Sequence, residues 1–332
     1  MSLFKNIAVI GGGSWATAIV KMLSENQKSV NWWMRNEDNI AHIKCYGNNP
    51  NYISAAELLP NKLTIDSDIN AIVETADCIV LAVPSAFLTT TLESLSVSIK
   101  DKFVVSAIKG IVPENNTIIG DYLHENYHIP YESIGVITGP CHAEEVALER
   151  LSYLTVACED VRKAEWFAEQ ISCRYIKTNV SEDIYGTEIA AVLKNVVAIA
   201  SGICHSLGYG DNFLSVLISH CAKELRLFIT TIKKDKDRDL NHSAYFGDLL
   251  VTTYSTFSRN RTFGNMLGKG YSVKSAMSEM SMVVEGYYAA LNAYEIAKKL
   301  NIECTYINAT HSILYELANP KKTIKDLADK LY

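Results

Sequence analysis

Between residues 5 and about 177 the chain alternates short runs of apolar and β-branched residues with stretches whose apolar positions recur at helical spacing. That alternation predicts parallel strands joined by crossover helices, with helices on both faces of one sheet. Strands are expected at Asn6–Ile10, Val30–Met34, Cys78–Val83, Phe103–Ile108, Ser133–Ile137, Tyr153–Ala157 and Arg174–Lys177. Most are apolar at every position, as strands buried on both faces must be. After about residue 180 the pattern changes to long helical periodicity, over Tyr185–Leu207, Phe213–Ile232, Met282–Leu300 and Ile307–Leu317. Two domains follow: an α/β domain over 1–180 and an all-α domain over 181–332. The length agrees, since 332 residues exceed what one hydrophobic core usually organises. The charged run Lys233–Asp239 reads as a solvated loop between helices.

The first strand runs directly into Gly11-Gly12-Gly13-Ser14-Trp15-Ala16, after which the helical pattern begins. This satisfies G-x-G-x-x-A in the context that gives the motif meaning, a strand before it and a helix after it. Gly11 permits the tight turn, Gly13 lets a pyrophosphate approach the backbone, and the small Ala16 lets helix and sheet pack closely. The pyrophosphate would then lie on N–H groups at the positive end of the helix. The N-terminal half is therefore a Rossmann domain, a doubly wound, mainly parallel sheet that binds a dinucleotide. At the end of the second strand, where an acid commonly meets the ribose 2′-hydroxyl, this chain has Arg35. An arginine there accepts a 2′-phosphate, so use of NADPH, alone or with NADH, is expected; the alternative is an ordinary surface cation. Ligands of such sheets bind beyond the carboxyl ends of the strands. That singles out Pro84-Ser85, Lys109-Gly110 and Thr138-Gly139-Pro140-Cys141, with Gly139-Pro140 read as a helix start.

In the helical half, Ile189–Ala200 is apolar all round except for the pair Lys194-Asn195. A helix apolar on every side is buried, and lysine is rarely buried without a partner. Lys194 either reaches a surface or is placed for chemistry, as a desolvated amine whose pKa is drawn toward neutrality and which exchanges a proton with a carbinol oxygen. Further on, Asp248 supplies a carboxylate, and Ser258-Arg259-Asn260-Arg261 is either a polar loop or a clamp in which Arg259 grips a phosphate through paired N–H groups.

Composition narrows the partners. Hydrophobic residues at 48% and charged residues at 20% suit a globular protein with a substantial core. A net charge of −6 argues against a nucleic-acid surface, which needs clustered cations. No run reaches 18 uninterrupted apolar residues and the start lacks the features of a secretion signal, so a cytoplasmic protein with no membrane span is expected. The eight cysteines are scattered without metal-ligand spacing, which suggests free thiols and no metal site. A homodimer is expected only as the commonest assembly of soluble enzymes.

Taken in order, Gly11–Ala16, Val83-Pro84-Ser85, Lys109-Gly110, Gly139-Pro140, Leu193-Lys194-Asn195-Val196, Gly208–Asn212, Gly247-Asp248-Leu249, Ser258–Arg261 and Val284-Glu285-Gly286 resemble the bacterial-type NAD(P)-dependent glycerol-3-phosphate dehydrogenases over essentially the whole chain. The resemblance implies reduction of dihydroxyacetone phosphate to sn-glycerol 3-phosphate for glycerophospholipid synthesis, with Lys194 as the acid/base. It implies that Lys109, Gly139, Cys141, Asp248, Ser258, Arg259 and Asn260 line the substrate pocket. Ser14, Trp15, Arg35, Lys109, Ala143, Arg259, Val283 and Glu285 would contact the dinucleotide, beside Gly11 and Gly13. Three positions depart from the family pattern: Cys141 where Ser or Thr is usual, Leu240–Phe246 where glycines are common, and His205-Ser206 where an acidic residue and glycine are frequent. Two other readings stay open on the residues alone. A 6-phosphogluconate or 3-hydroxyacid dehydrogenase of like architecture is weighed against by the phosphate clamp, and a non-catalytic dinucleotide sensor by Lys194.

Overall fold

The computed structural model describes residues 3–234 and 238–331, so part of the charged run 233–239 lies outside the described residues. The chain divides into two compact units. One comprises residues 1–108 and 117–184, the other 109–116 and 185–332. Compared with the expected division after residue 180, the α/β unit extends to Ile184, because its last strand runs to Ser181. Lys109–Asn116, although it emerges from a strand of the first unit, belongs to the second.

The α/β unit is built on eight strands: β1 (Ile7–Ile10), β2 (Val30–Trp33), β3 (Leu63–Asp66), β4 (Cys78–Leu81), β5 (Phe103–Ser106), β6 (Ile134–Thr138), β7 (Ser152–Cys158) and β8 (Ile176–Ser181). Their order is β3-β2-β1-β4-β5-β6-β7-β8. All neighbours are parallel except β6 and β7. The chain winds outward from β1 in both directions, which makes the β1/β4 boundary a topological switch point of the kind where doubly wound sheets bind ligands. Seven of the strands overlap expected runs, β8 only at Ile176 and Lys177 of the expected Arg174–Lys177. The eighth, β3, is a sheet edge with the sequence Leu-Thr-Ile-Asp, in which only Ile65 is buried. Four residues wetted on one side offer no apolar run to read. Alternate residues of the central strands, including Ile7, Val9, Val80 and Val105, share one apolar cluster with the helices Ser14–Asn26 and Val161–Ile171, as a period of two requires.

The second unit is helical. Ile184–Ser206, Asp211–Ile232, Glu285–Leu300 and Thr305–Tyr315 correspond to the four expected helices. Shorter helices at Asp248–Tyr254, Arg259–Gly268, Val273–Glu279 and Pro320–Ala328 complete it. Ile184–Ser206 is long and apolar enough to cross a bilayer, but 89% of its apolar window is buried inside the protein, as in the core helix of a globular fold. Its packing depends on glycine. A Cβ on Gly264 would stand 2.1 Å from the Ile199 carbonyl oxygen, and one on Gly202 would stand 2.1 Å from that of Arg261. The backbones of Ile184–Ser206 and Arg259–Gly268 therefore touch, with no room for a side chain between them. Inserting a methyl there overpacks the contact at a cost of about 1–3 kcal/mol. Gly264→Ala is expected to lower the thermal unfolding midpoint by roughly 3–10 °C in a calorimetric scan, and an unchanged midpoint would show that the two helices part freely.

Candidate active site

In the α/β unit the glycine loop follows β1 at the switch point. Gly11 has φ +137°, and a Cβ there would lie 2.4 Å from the Ala82 carbonyl oxygen just beyond β4, so only glycine makes this turn. Gly13 is the opposite case: a Cβ would meet nothing within 4 Å. The first glycine is pressed against the sheet and the third faces open space, the pair of conditions a pyrophosphate-binding turn needs. Gly13 is also the N-cap of Ser14–Asn26, and no side chain caps that terminus. Ser14 is buried and Ala16 fully so, while Trp15 is half-buried. These residues fit a dinucleotide. Arg35 is exposed immediately past β2.

Beyond β6, Gly139 has φ +118°, and a Cβ there would lie 2.9 Å from the Tyr153 carbonyl oxygen. Cys141 and Ala143 are buried. Gly139-Pro140 does not start the helix, which begins at Ala143 with His142 as its N-cap. Ser85 is buried beyond β4. β1, β4, β5 and β6 run parallel, so these loops share one edge of the sheet.

The helical unit holds the charged group. Lys194, 4% exposed, and Asp248, 1% exposed, form an ion pair with Nζ 2.5 Å from Oδ1. Asp248 opens the helix Asp248–Tyr254, whose Thr252 hydroxyl lies 3.5 Å from the same carboxylate oxygen. The other oxygen, Oδ2, is buried without a hydrogen-bond partner. Burial draws the Lys194 ammonium down from the ordinary lysine value to about 7. Asp248 opposes that fall, and the Lys109 cation adds to it. A buried amine that titrates near neutrality exchanges protons in either direction.

One adjacent residue binds the group together, and its role was not legible from the sequence. The Asn195 amide donates to the Lys109 carbonyl at 3.0 Å and to the Ala191 carbonyl at 3.2 Å. Its Oδ1 accepts from the Asn260 amide at 2.9 Å, and Asn260 Oδ1 accepts from the Gly286 N–H at 2.9 Å. Lys109, Lys194, Asn195, Asp248, Asn260 and the start of Glu285–Leu300 thus gather in one neighbourhood of this unit. Ser258-Arg259-Asn260-Arg261 is not a loop. Ser258 caps the helix Arg259–Gly268, accepting from the Arg261 N–H, so its oxygen already serves the fold. The side chain of Arg259 makes no hydrogen bond or ion pair among the described residues. Val283 and Glu285, both half-buried, flank the N-cap Val284 of Glu285–Leu300.

Known proteins resolve the family. Residues 6–164 match the profile of the NAD-dependent glycerol-3-phosphate dehydrogenase N-terminus, and residues 183–325 match that of the C-terminus. A glycerol-3-phosphate dehydrogenase [NAD(P)+] of Syntrophotalea carbinolica is 35% identical over 332 residues, covering 98% of each chain. That of Oceanobacillus iheyensis is 32% identical over 327 residues, 98% of this chain and 94% of its own. The chain belongs to the NAD(P)-dependent glycerol-3-phosphate dehydrogenase family. A glycerol-3-phosphate dehydrogenase structure from Coxiella burnetii agrees, at a TM-score of 0.88 and 26% identity over 97% of this chain and 98% of that one. D-mandelate dehydrogenase, at a TM-score of 0.59 and 16% identity, shares the fold alone, covering 98% of this chain and 99% of its own. As a member of this family the chain is an NAD(P)-dependent oxidoreductase. Its departures are local. Of the segment expected to be glycine-rich, Ser243–Phe246 form with Gly247 a π-helical turn that leads straight into Asp248. Arg35→Asp is expected to lower the preference for NADPH over NADH by at least tenfold, about 1.4 kcal/mol, in paired assays at 340 nm; an unchanged ratio would make Arg35 a surface cation only.

Proposed function

We propose that this glycerol-3-phosphate dehydrogenase reduces dihydroxyacetone phosphate to sn-glycerol 3-phosphate, reversibly, with Lys194 as the proton donor and acceptor. The observation that carries this reading is the buried Lys194–Asp248 pair, with a lysine held near pH 7 in its proton exchange. Bound NADPH or NADH supplies the hydride to the carbonyl carbon. Lys194 in its ammonium form supplies the proton to the carbonyl oxygen, and in the reverse direction the neutral amine takes it back. Asp248 holds the ammonium in place and keeps it protonated to a higher pH than burial alone would allow. Arg259, with Asn260 beside it and Lys109 near the catalytic amine, offers the phosphate its charged donors, and Ser258 is proposed as a further pocket residue. The dinucleotide is assigned to Gly11, Gly13, Ser14, Trp15 and Arg35, with Ala143 as a further contact. The 6-phosphogluconate and sensor readings are disfavoured by family membership and by the lysine.

The proposed cellular role is supply of the glycerol phosphate backbone for phospholipids, in the cytoplasm. The free state of all eight cysteines supports a reducing compartment.

Because a general acid or base is worth about a hundred- to ten-thousandfold, Lys194→Met is expected to lose rate on that scale while still binding NADPH, and near-normal turnover would remove the assigned role. The pH dependence has opposite signs in the two directions. Reduction needs the protonated amine and falls as pH rises through about 7, whereas oxidation needs the neutral amine and rises through the same value. The same shift acts on stability. Between about 7 and the ordinary lysine value the unfolded chain holds the extra proton, so this residue's contribution to stability improves as pH rises across that window. Arg259→Ala is expected to weaken kcat/KM for dihydroxyacetone phosphate by roughly ten- to a hundredfold, and an unchanged value would mean the phosphate is held elsewhere.

A further inference from the structure

A loop of three consecutive glycines has an inherent weakness as an anion site. With glycine on both sides, the Gly11–Gly12 and Gly12–Gly13 peptides rotate with little steric resistance. A rotated peptide would turn a carbonyl oxygen, instead of an N–H, toward a phosphate. In this chain all three carbonyls of the loop are held by buried donors. The Trp32 indole Nε1 donates to the Gly11 oxygen at 2.7 Å. The Asn49 amide donates to the Gly12 oxygen at 3.1 Å and to the Thr17 hydroxyl at 2.8 Å. The Thr17 hydroxyl donates in turn to the Gly13 oxygen at 2.9 Å. Trp32, Asn49 and Thr17 are each fully buried. Asn49 is itself fixed, its Oδ1 accepting from the Asn51 N–H at 3.2 Å.

In a planar trans peptide the C=O and the following N–H point in opposite directions. Pinning the Gly11 carbonyl inward therefore aims the Gly12 N–H outward, and pinning the Gly12 carbonyl aims the Gly13 N–H outward, toward the open space beside Gly13. We propose that Trp32, Asn49 and Thr17 are positioning residues for the dinucleotide, holding the loop's peptides in the orientation that presents N–H groups to the pyrophosphate. This rests on the assignment of the loop as the cofactor site. The three residues are buried and hold the loop's carbonyls, so their effect on affinity is a matter of preorganisation, the avoided cost of ordering the loop on binding. All three lie outside the glycine motif, Thr17 directly after it, Trp32 on β2 and Asn49 just past the helix Glu37–Tyr46.

The test uses the full-length protein and measures NADPH dissociation constants by nucleotide fluorescence at 20 °C, with thermal midpoints recorded in parallel. Trp32→Phe keeps an aromatic ring and removes the N–H; Thr17→Val keeps the shape and removes the hydroxyl; Asn49→Ala removes both donors. Each is expected to weaken NADPH binding by about three- to tenfold, the scale of one neutral hydrogen bond, while KM for dihydroxyacetone phosphate moves less than twofold. If the side chains served only the fold, midpoints would fall and the dissociation constants of the still-folded variants would stay at the wild-type value, which overturns the proposal. Should Asn49→Ala fail to fold, Trp32→Phe and Thr17→Val decide the matter by the same criterion. A wild-type protein that binds neither NADPH nor NADH overturns the cofactor assignment and the positioning role together, and is told apart from the first failure by the wild-type titration alone.

Discussion

A lysine and an aspartate in contact, both shut away from water, set the terms for the helical unit. Removing two charges from water costs several kcal/mol per ion even after relaxation, and their mutual attraction repays this only when geometry and hydrogen bonding are good. The pair is therefore a poor device for stability, and the proton exchange proposed for Lys194 is what would account for it. Burial draws the proton affinity of the amine toward neutrality. Apolar residues such as Val192, Leu193, Val196 and Val197 exclude solvent from the same helix. The glycine contact at Gly264 lets a second backbone close over that helix. Asn195, one residue from the lysine, ties Lys109 and Asn260 to the same place.

The α/β unit solves a related problem with neutral groups. A dinucleotide site needs donors turned toward a charge, but the flexibility that lets a phosphate approach also lets the donors turn away. Glycine supplies the approach, and a buried tryptophan, asparagine and threonine supply the orientation. In both units, then, an exceptional backbone or a costly charge is held by ordinary side chains a short distance behind it.

This division explains what could be read from the residues. Most strands and the long helices announce themselves through runs of apolar residues, and Lys194 through being a charge in an apolar stretch, whereas β8 buries only Ile176. The edge strand β3, with one buried position, leaves no such trace. Nor does the direction of β7, since a buried strand has the same composition whether parallel or antiparallel. The helix Arg259–Gly268 was hidden because its sequence is rich in polar residues and glycine, and the glycines that look like helix breakers are what its packing requires. Asp248 was visible as a carboxylate, but only the fold puts it against Lys194. Asn49 and Trp32 carry no sequence signal for the positioning role proposed for them, because that role lies in which carbonyl each one meets.

The segment Lys109–Asn116 has a consequence for the order in which the protein comes into being. It leaves the end of β5, yet hydrogen bonds join it to Asn195 and, through the Asn116 amide, to Glu295. The polypeptide therefore passes between its two units three times, and the piece carrying Lys109 is synthesised long before the helices that hold it. On the ribosome the first unit would emerge, with this segment, before the helices that hold it are made. No single cut in the chain would therefore separate the one unit from the other.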